Sequence, residues 1–77
     1  MTADLELDCR GMLCPAPVIE LNRHLADVDV GAVLAVVSTD AAARVDIPAW
    51  CRMREQEWVR ADLATDGAPR YVVRRLR

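Results

Sequence analysis

Residues 32–38 read AVLAVVS, a continuous apolar run of strand length that follows a turn at Gly31. A strand without polar residues is typical of the centre of a sheet whose faces are both covered. An alternating segment, residues 5–9, precedes it, and an amphipathic helical pattern over residues 15–27 lies between the two. Since parallel neighbours need a crossover connection, these three segments predict a βαβ unit.

The helical pattern of residues 15–27 has one apolar side and one polar side. The apolar side carries Val18, Ile19, Leu21, Leu25 and Ala26, and the polar side carries Glu20, Arg23, His24 and Asp27. Asn22 is the single polar residue on the apolar side. The pattern therefore predicts a helix that packs one side against a sheet.

The second half of the chain predicts one more helix and a hairpin. Asp46 precedes IPAWCRMR, residues 47–54, and we expect it to cap a short helix with Pro48 in the first turn. Residues 57–65 and 70–76 flank DGAP and are typical of an antiparallel hairpin. The order βαβαββ, over one domain spanning the chain, gives an α/β (α+β) fold of two layers, with two helices on one face of a four-stranded sheet.

One face of such a sheet has no helix over it, although the central strand is apolar on both faces. Long side chains such as that of Arg60, or a partner protein, are the two covers that we expect for that face.

Composition excludes several classes of function. A chain of 77 residues buries only about 60% of its unfolded surface, so we expect no deep active site. The net charge is −2 and all ten basic residues are arginine, so we expect no direct nucleic-acid partner. The chain shows neither a signal-peptide pattern nor an apolar stretch of membrane-spanning length, and we expect a cytoplasmic protein without a membrane partner.

Three cysteines, Cys9, Cys14 and Cys51, form an odd set, which argues against a framework of disulfides. No CxxC pair is present and His24 is the only histidine, so we expect no bound metal. Cys9 alternates with the inward residues of the first strand and Cys51 lies on the second helix, so both are predicted to be core thiols.

Cys14 is the first residue of CPAP, residues 14–17, and is followed directly by Pro15. This order predicts that Cys14 is the N-cap of the first helix. Pro15 then takes the first helical position, Pro17 stiffens this end of the helix, and Ala16 supplies a backbone N–H aimed at the sulfur. Such a donor and the helix dipole favour the thiolate and predict a pKa below the free value of about 8.5.

The carboxyl ends of parallel strands meet at one edge of a sheet, so the loop of residues 38–46 should lie near Cys14. Candidates for this rim are Arg10, Asp40, Arg44 and Asp46. Each of the first three is also consistent with a solvated loop, and a helix cap is the preferred role of Asp46.

Thiolate exchange on sulfur is the chemistry that such a cysteine can perform. His24 lies ten residues beyond Cys14, about 15 Å along the helix, and is too far to act as its general base. Attack on a sulfur atom needs no base and no oxyanion hole, only a thiolate, an open approach and a leaving group.

The stretch LDCRGMLCPAP, residues 7–17, resembles the opening motif of the TusA/SirA-like sulfur carrier family, Leu-Asp-x-x-Gly-x-x-Cys-Pro-x-Pro. The similarity extends through DIPAWC, residues 46–51, and TDG, residues 65–67. Two positions depart from it: Ala16 replaces a glutamate of some members, and Asn22 replaces a basic residue of those that serve tRNA thiolation.

This resemblance implies a mixed sheet of strand order 1-2-4-3. It also implies that Cys14 carries sulfur as a covalent persulfide, without a further cofactor, and acts as a shuttle more than as an enzyme. The implied donor is a cysteine desulfurase or a rhodanese. The implied acceptor is a protein of tRNA 2-thiouridine synthesis, sulfur oxidation or cofactor assembly.

Two other hypotheses remain open on the sequence alone. In one, the protein is a non-catalytic interaction or regulatory module and Cys14 is only a structural N-cap. In the other, Cys9 and Cys14 form a redox-active dithiol. Replacing Cys14 by serine separates the first from a sulfur carrier, and replacing Cys9 by serine tests the second.

Overall fold

The computed structural model describes residues 3–77 as four strands and two helices in the predicted order. The elements are β1 Leu5–Asp8, α1 Ala16–His24, β2 Val33–Val37, α2 Ala43–Arg54, β3 Glu57–Leu63 and β4 Pro69–Arg74. A 3₁₀ turn, Leu25–Asp27, follows α1 directly. Neither helix of this part of the chain has the length and hydropathy needed to cross a membrane.

The four strands form one mixed sheet of order β1-β2-β4-β3. β1 is parallel to β2, whereas β4 runs antiparallel to both β2 and β3. β2 lies in the interior of the sheet and all five of its residues are buried. The two-layer α/β class read from the sequence and the strand order implied by the resemblance are therefore both confirmed.

The main core lies between the sheet and the two helices. On the sheet face that meets the helices, Leu34 of β2 pairs with Leu5 of β1 on one side and with Val73 of β4 on the other. The buried residues of this core are Leu7, Cys9, Leu21, Leu34, Val36, Ala43, Ile47, Trp50, Cys51, Tyr71 and Val73. The predicted core positions of Cys9 and Cys51 are confirmed, since each thiol is 1% exposed.

The apolar side of α1 is narrower than the sequence pattern predicts. Leu21 is fully buried, and Val18 and Leu25 pack against the same core. Ile19, by contrast, is 51% exposed, and Ala26 is exposed in the 3₁₀ turn. Helix α1 packs against α2, and Ile19 lies at the edge of the hollow between these two helices, beside Met53.

The predicted cap at Asp46 is wrong, because α2 begins at Ala43 and contains both Asp46 and Pro48. The carboxylate that serves the start of this helix comes from Asp40, whose Oδ1 accepts the Ala42 N–H at 3.0 Å. A proline at position 48 removes only the hydrogen bond that would reach the Arg44 carbonyl. The helix therefore forms one turn earlier than the sequence indicated.

The sheet face without helices has its own small apolar cluster. Val33, Ala35 and Val72 are buried there, with Ala3 and Val59 packed against them. Val59 is the extra residue of a bulge in β3, where Trp58 and residue 60 pair with consecutive positions of β4. This irregularity turns two consecutive β3 side chains toward the same face.

Arginine side chains cover this face, as predicted for Arg60. Arg60 pairs across the strands with Val72, so its stem lies over the apolar cluster. Four ion pairs hold the guanidinium groups: Arg60–Asp62 at 3.0 Å, Arg70–Asp62 at 2.7 Å, Arg70–Glu6 at 3.3 Å and Arg74–Glu57 at 3.4 Å.

Candidate functional site

Cys14 lies in the loop between β1 and α1, at the carboxyl edge of the two parallel strands. Its side chain is half-buried. The N-cap of α1 is Pro15, one residue later than predicted, and the Cys14–Pro15 peptide bond is cis. Cys14 therefore precedes the helix without capping it, and the hypothesis of a structural N-cap cysteine is wrong.

The backbone N–H of Ala16 does not point to the sulfur as predicted. It donates to the carbonyl of Leu13 at 2.9 Å, which closes a turn around Cys14. Pro15 contributes to the helix through its carbonyl, which accepts the Ile19 N–H at 3.0 Å. Pro17 is buried at the second helical position, where it anchors this end of α1 to the core.

Asp40 positions the backbone of Cys14. Its Oδ2 accepts the Cys14 N–H at 2.6 Å, while its Oδ1 accepts the Ala42 N–H at 3.0 Å. These two hydrogen bonds hold the pKa of the Asp40 carboxyl below its ordinary value, so the group is charged. One carboxylate thus joins the cysteine loop to the start of α2.

A second contact joins the same two loops. Gly11, with φ +78°, donates its N–H to Oγ1 of Thr39 at 3.1 Å. A positive φ of this size favours glycine, which is one reason why the loop needs glycine here. Thr39 was not among the predicted site residues, although its place two residues after the end of β2 could have indicated it.

Arg10 joins the cysteine loop to the turn between β3 and β4. Its guanidinium contacts Asp66 through two hydrogen bonds of 2.9 and 3.1 Å, and it also contacts Asp8 at 3.0 Å. The Arg10 hydrogen bond is the main cause that lowers the pKa of Asp66. Arg10 is therefore part of the support of the loop, and its partner Asp66 was included in the sequence analysis only as part of the TDG and DGAP segments.

The expected low pKa of Cys14 is wrong in direction. Burial of the thiol, its interaction with the Asp46 carboxylate and the negative charges of Asp46 and Asp40 raise its pKa to about 11. Each of these influences disfavours a thiolate. Cys14 also lies before the N-cap Pro15 and lacks the predicted N–H donor, so the cap contact that was expected to lower its pKa is absent.

Arg44 lines a different hollow from the one beside Cys14. It lines a hollow of about 350 Å³ together with Asp62 and Tyr71. This hollow shares no residue with the one formed by Pro15 and Asp46 beside Cys14. Of the four predicted rim residues, the structure thus brings Asp40 and Asp46 to the thiol, uses Arg10 as a support, and does not bring Arg44 there.

The other nucleophilic and titratable candidates are remote from Cys14 or enclosed. Cys9 and Cys51 are free but buried thiols, and burial raises the pKa of both. His24 lies at the end of α1, where its Nδ1 contacts Asp27 Oδ2 at 2.7 Å. Among residues 3–77, no three potential metal ligands cluster. Cys14 is therefore the thiol on which chemistry with another protein is possible.

Comparison with known proteins identifies relatives along almost the whole chain. The family model described as "Sulfurtransferase TusA" matches residues 5–75. "Sulfur carrier protein TusA" of Pseudomonas syringae pv. syringae (strain B728a) is 39% identical over 75 residues, covering 97% of this chain and 88% of the relative. The protein of the same description from Pseudomonas fluorescens (strain SBW25) is 41% identical over 59 residues, covering 77% and 71%.

A solved structure has the same fold. The SirA-like protein from Desulfitobacterium hafniense superposes with a TM-score of 0.78, covering 95% of this chain and 99% of that one. The two sequences are 19% identical, so this likeness concerns the arrangement of strands and helices.

Proposed function

The chain belongs to the TusA family of sulfur carrier proteins, and on that premise we propose that Cys14 is the residue that carries the sulfur, as a persulfide. The observation that carries this proposal is the contrast among the three thiols: Cys14 is half-buried at the carboxyl edge of the sheet, whereas Cys9 and Cys51 are 1% exposed in the core. A carrier must present its sulfur to two different proteins in turn. Of the three thiols, only Cys14 is exposed enough to do so.

The proposed step is an exchange between a thiol and a persulfide. The Cys14 sulfur attacks the outer sulfur of a donor persulfide, a new S–S bond forms on Cys14, and the S–S bond of the donor breaks. The donor cysteine leaves as a thiolate and takes up the proton that Cys14 loses. Sulfur moves without net oxidation or reduction. In the second step, Cys14 is the persulfide donor and a thiol of the acceptor protein attacks its outer sulfur.

The surroundings of Cys14 set how reactive the free carrier is. With its pKa raised to about 11, Cys14 is in the thiol form at neutral pH in nearly all molecules. The Asp46 carboxylate beside the thiol opposes loss of its proton. The free protein is then a slow nucleophile, and reaction depends on a donor that is docked and aligned.

The loop contacts fix where the sulfur is presented. Asp40 holds the Cys14 backbone, and the Arg10–Asp66 pair holds the preceding part of the loop against the hairpin turn. Restriction of the loop aligns Cys14 for attack on a sulfur atom that a second protein brings.

We propose a cysteine desulfurase or a rhodanese as the donor, because each forms a protein-bound persulfide of the kind that this exchange requires. The acceptor is a downstream protein of tRNA 2-thiouridine synthesis, sulfur oxidation or cofactor assembly. The exchange is proposed to take place in the cytoplasm, where thiols stay reduced.

Transfer of labelled sulfur tests this function. The protein is incubated with a cysteine desulfurase and ³⁵S-cysteine, separated without reductant, and treated with cyanide, which removes the outer sulfur of a persulfide as thiocyanate. We expect labelled wild-type protein that loses its label to cyanide, an equally labelled Cys51→Ala variant and an unlabelled Cys14→Ser variant. Label that stays on Cys14→Ser would contradict the assignment.

A further inference from the structure

An apolar groove runs between α1 and α2, and it begins beside Cys14. Its first part, a hollow of about 220 Å³, is lined at this end by Pro15 and Asp46. A second hollow of about 320 Å³ continues to Asn22 and Arg54. The residues shared by the two hollows are Val18, Trp50 and Met53, so the two form one continuous surface.

Two apolar side chains of this groove are exposed to solvent. Ile19, on α1, is 51% exposed, and Met53, on α2, is 75% exposed. Val18 and Trp50 lie lower, and Trp50 is only 4% exposed. Exposed apolar surface that is continuous with a half-buried nucleophile is typical of a binding surface for another protein.

The two ends of the groove carry opposite charges. Asp46 lies at the end near Cys14. Arg54 lies at the other end, where it donates a hydrogen bond to Oδ1 of Asn22 at 2.9 Å. The two residues are eight positions apart on α2, or about 12 Å at the rise of an α-helix. That distance equals about three to four residues of extended chain.

We propose that this groove binds the segment next to the reactive cysteine of the sulfur donor protein, a short extended segment with apolar side chains, a basic side chain at the Asp46 end and an acidic side chain at the Arg54 end. The inference rests on the proposed function, because a donor that brings its persulfide to Cys14 brings the adjoining residues to the groove. The charges at the two ends then fix the direction in which the segment lies.

Two sulfur sources test the proposal, one that needs the groove and one that does not. Purified cysteine desulfurase with cysteine is the protein donor, and inorganic polysulfide is the small donor. The groove variants are Ile19→Glu and Met53→Glu, and the control is Val30→Glu, at a residue that is 61% exposed in the loop before β2. All three positions are exposed, so we expect folded variants with similar unfolding midpoints.

We expect the groove variants to load from polysulfide at the wild-type rate. With the desulfurase, their KM for the carrier should rise about tenfold or more, whereas that of Val30→Glu stays near wild type. The charge at the far end has its own matched pair: Arg54→Glu should raise the KM, and Arg52→Glu, at an exposed position of the same helix, should not.

Equal KM values for the groove variants and Val30→Glu would overturn the proposal. So would a wild-type dimer that Ile19→Glu dissociates while its KM with the desulfurase is unchanged, because the occupant would then be a second copy of this chain. If wild-type protein takes sulfur from neither source, the proposed function itself fails and the inference fails with it. Wild-type protein that loads from polysulfide retains the proposed function, so a failure of the groove prediction alone can then be recognised.

Discussion

The backbone N–H of Cys14 donates a hydrogen bond of 2.6 Å to Oδ2 of Asp40, a residue 26 positions away in the loop before α2. The same carboxylate accepts the N–H of Ala42 through its other oxygen. The loop that carries Cys14 and the helix that carries Asp46 are thus held together by one side chain. The position of Cys14 therefore depends on this contact as well as on Pro15 and Pro17.

Replacing Asp40 by asparagine should separate the position of Cys14 from its acidity. An amide has one acceptor oxygen, so it cannot serve both N–H groups, and the variant loses a negative charge near the thiol. We expect alkylation of Cys14 by iodoacetamide at pH 8 to become about threefold faster, while sulfur transfer from a desulfurase becomes slower. Asp29→Asn, in the exposed loop before β2, is the control, and parallel changes in both rates would contradict the account.

Replacing Asp46 by asparagine should shift the pH profile of Cys14. Burial and the carboxylates of Asp46 and Asp40 raise the Cys14 pKa to about 11, so wild-type alkylation should still increase between pH 9 and 11. Without the Asp46 charge the profile moves to lower pH, with alkylation at pH 8 roughly tenfold faster. A profile identical to that of the wild type would show that Asp46 does not act on the thiol.

Stability should fall at alkaline pH because of the buried thiols. Burial raises the pKa of Cys51 from 9.0 to about 11, so the folded state favours the protonated form. This contribution is complete below pH 9 and is lost as the pH rises through 11, since unfolding then releases a proton. Urea unfolding should give a free energy that declines above pH 9, and Cys51→Ala should show a shallower decline. Equal slopes would contradict this assignment.

Two aliphatic residues of α2 offer a matched pair for stability. Ile47 is fully buried against the sheet, and Val45, two residues earlier, is 68% exposed. We expect Ile47→Ala to lower the free energy of unfolding by about 3 kcal/mol through lost burial and a cavity. Val45→Ala should change it by less than about 0.5 kcal/mol. Similar losses in urea titrations would mean that the helix does not pack as described.

The architecture was predictable because it depends on local patterns. Alternation in β1, the apolar run of β2 and the helical period between them specified the βαβ unit, and DGAP specified the hairpin. The strand order was predicted from the family resemblance, because no local sequence pattern indicates that β4 lies between β2 and β3. The start of α2 was missed because its carboxylate, Asp40, lies in the loop three residues before the helix.

The chemistry at Cys14 was predictable only in part. Its place at the edge of the sheet followed from the order of elements, but its pKa depends on side chains from another element. The Arg10–Asp66 contact joins residues 56 positions apart, and the Cys14–Asp40 contact joins residues 26 apart. Contacts between residues so far apart leave no pattern in the local sequence. The prediction of the Cys14 pKa therefore relied on the helix dipole and did not include the two carboxylates that raise this pKa.

The mass of the intact protein under non-reducing conditions tests the central claim most directly. Wild type, Cys14→Ser and Cys9→Ser are each incubated with a cysteine desulfurase and cysteine. The account predicts that wild type and Cys9→Ser gain the mass of one sulfur atom, reversed by reductant, and that Cys14→Ser gains none. A wild-type protein that gains no sulfur, or a Cys14→Ser variant that does, would contradict it.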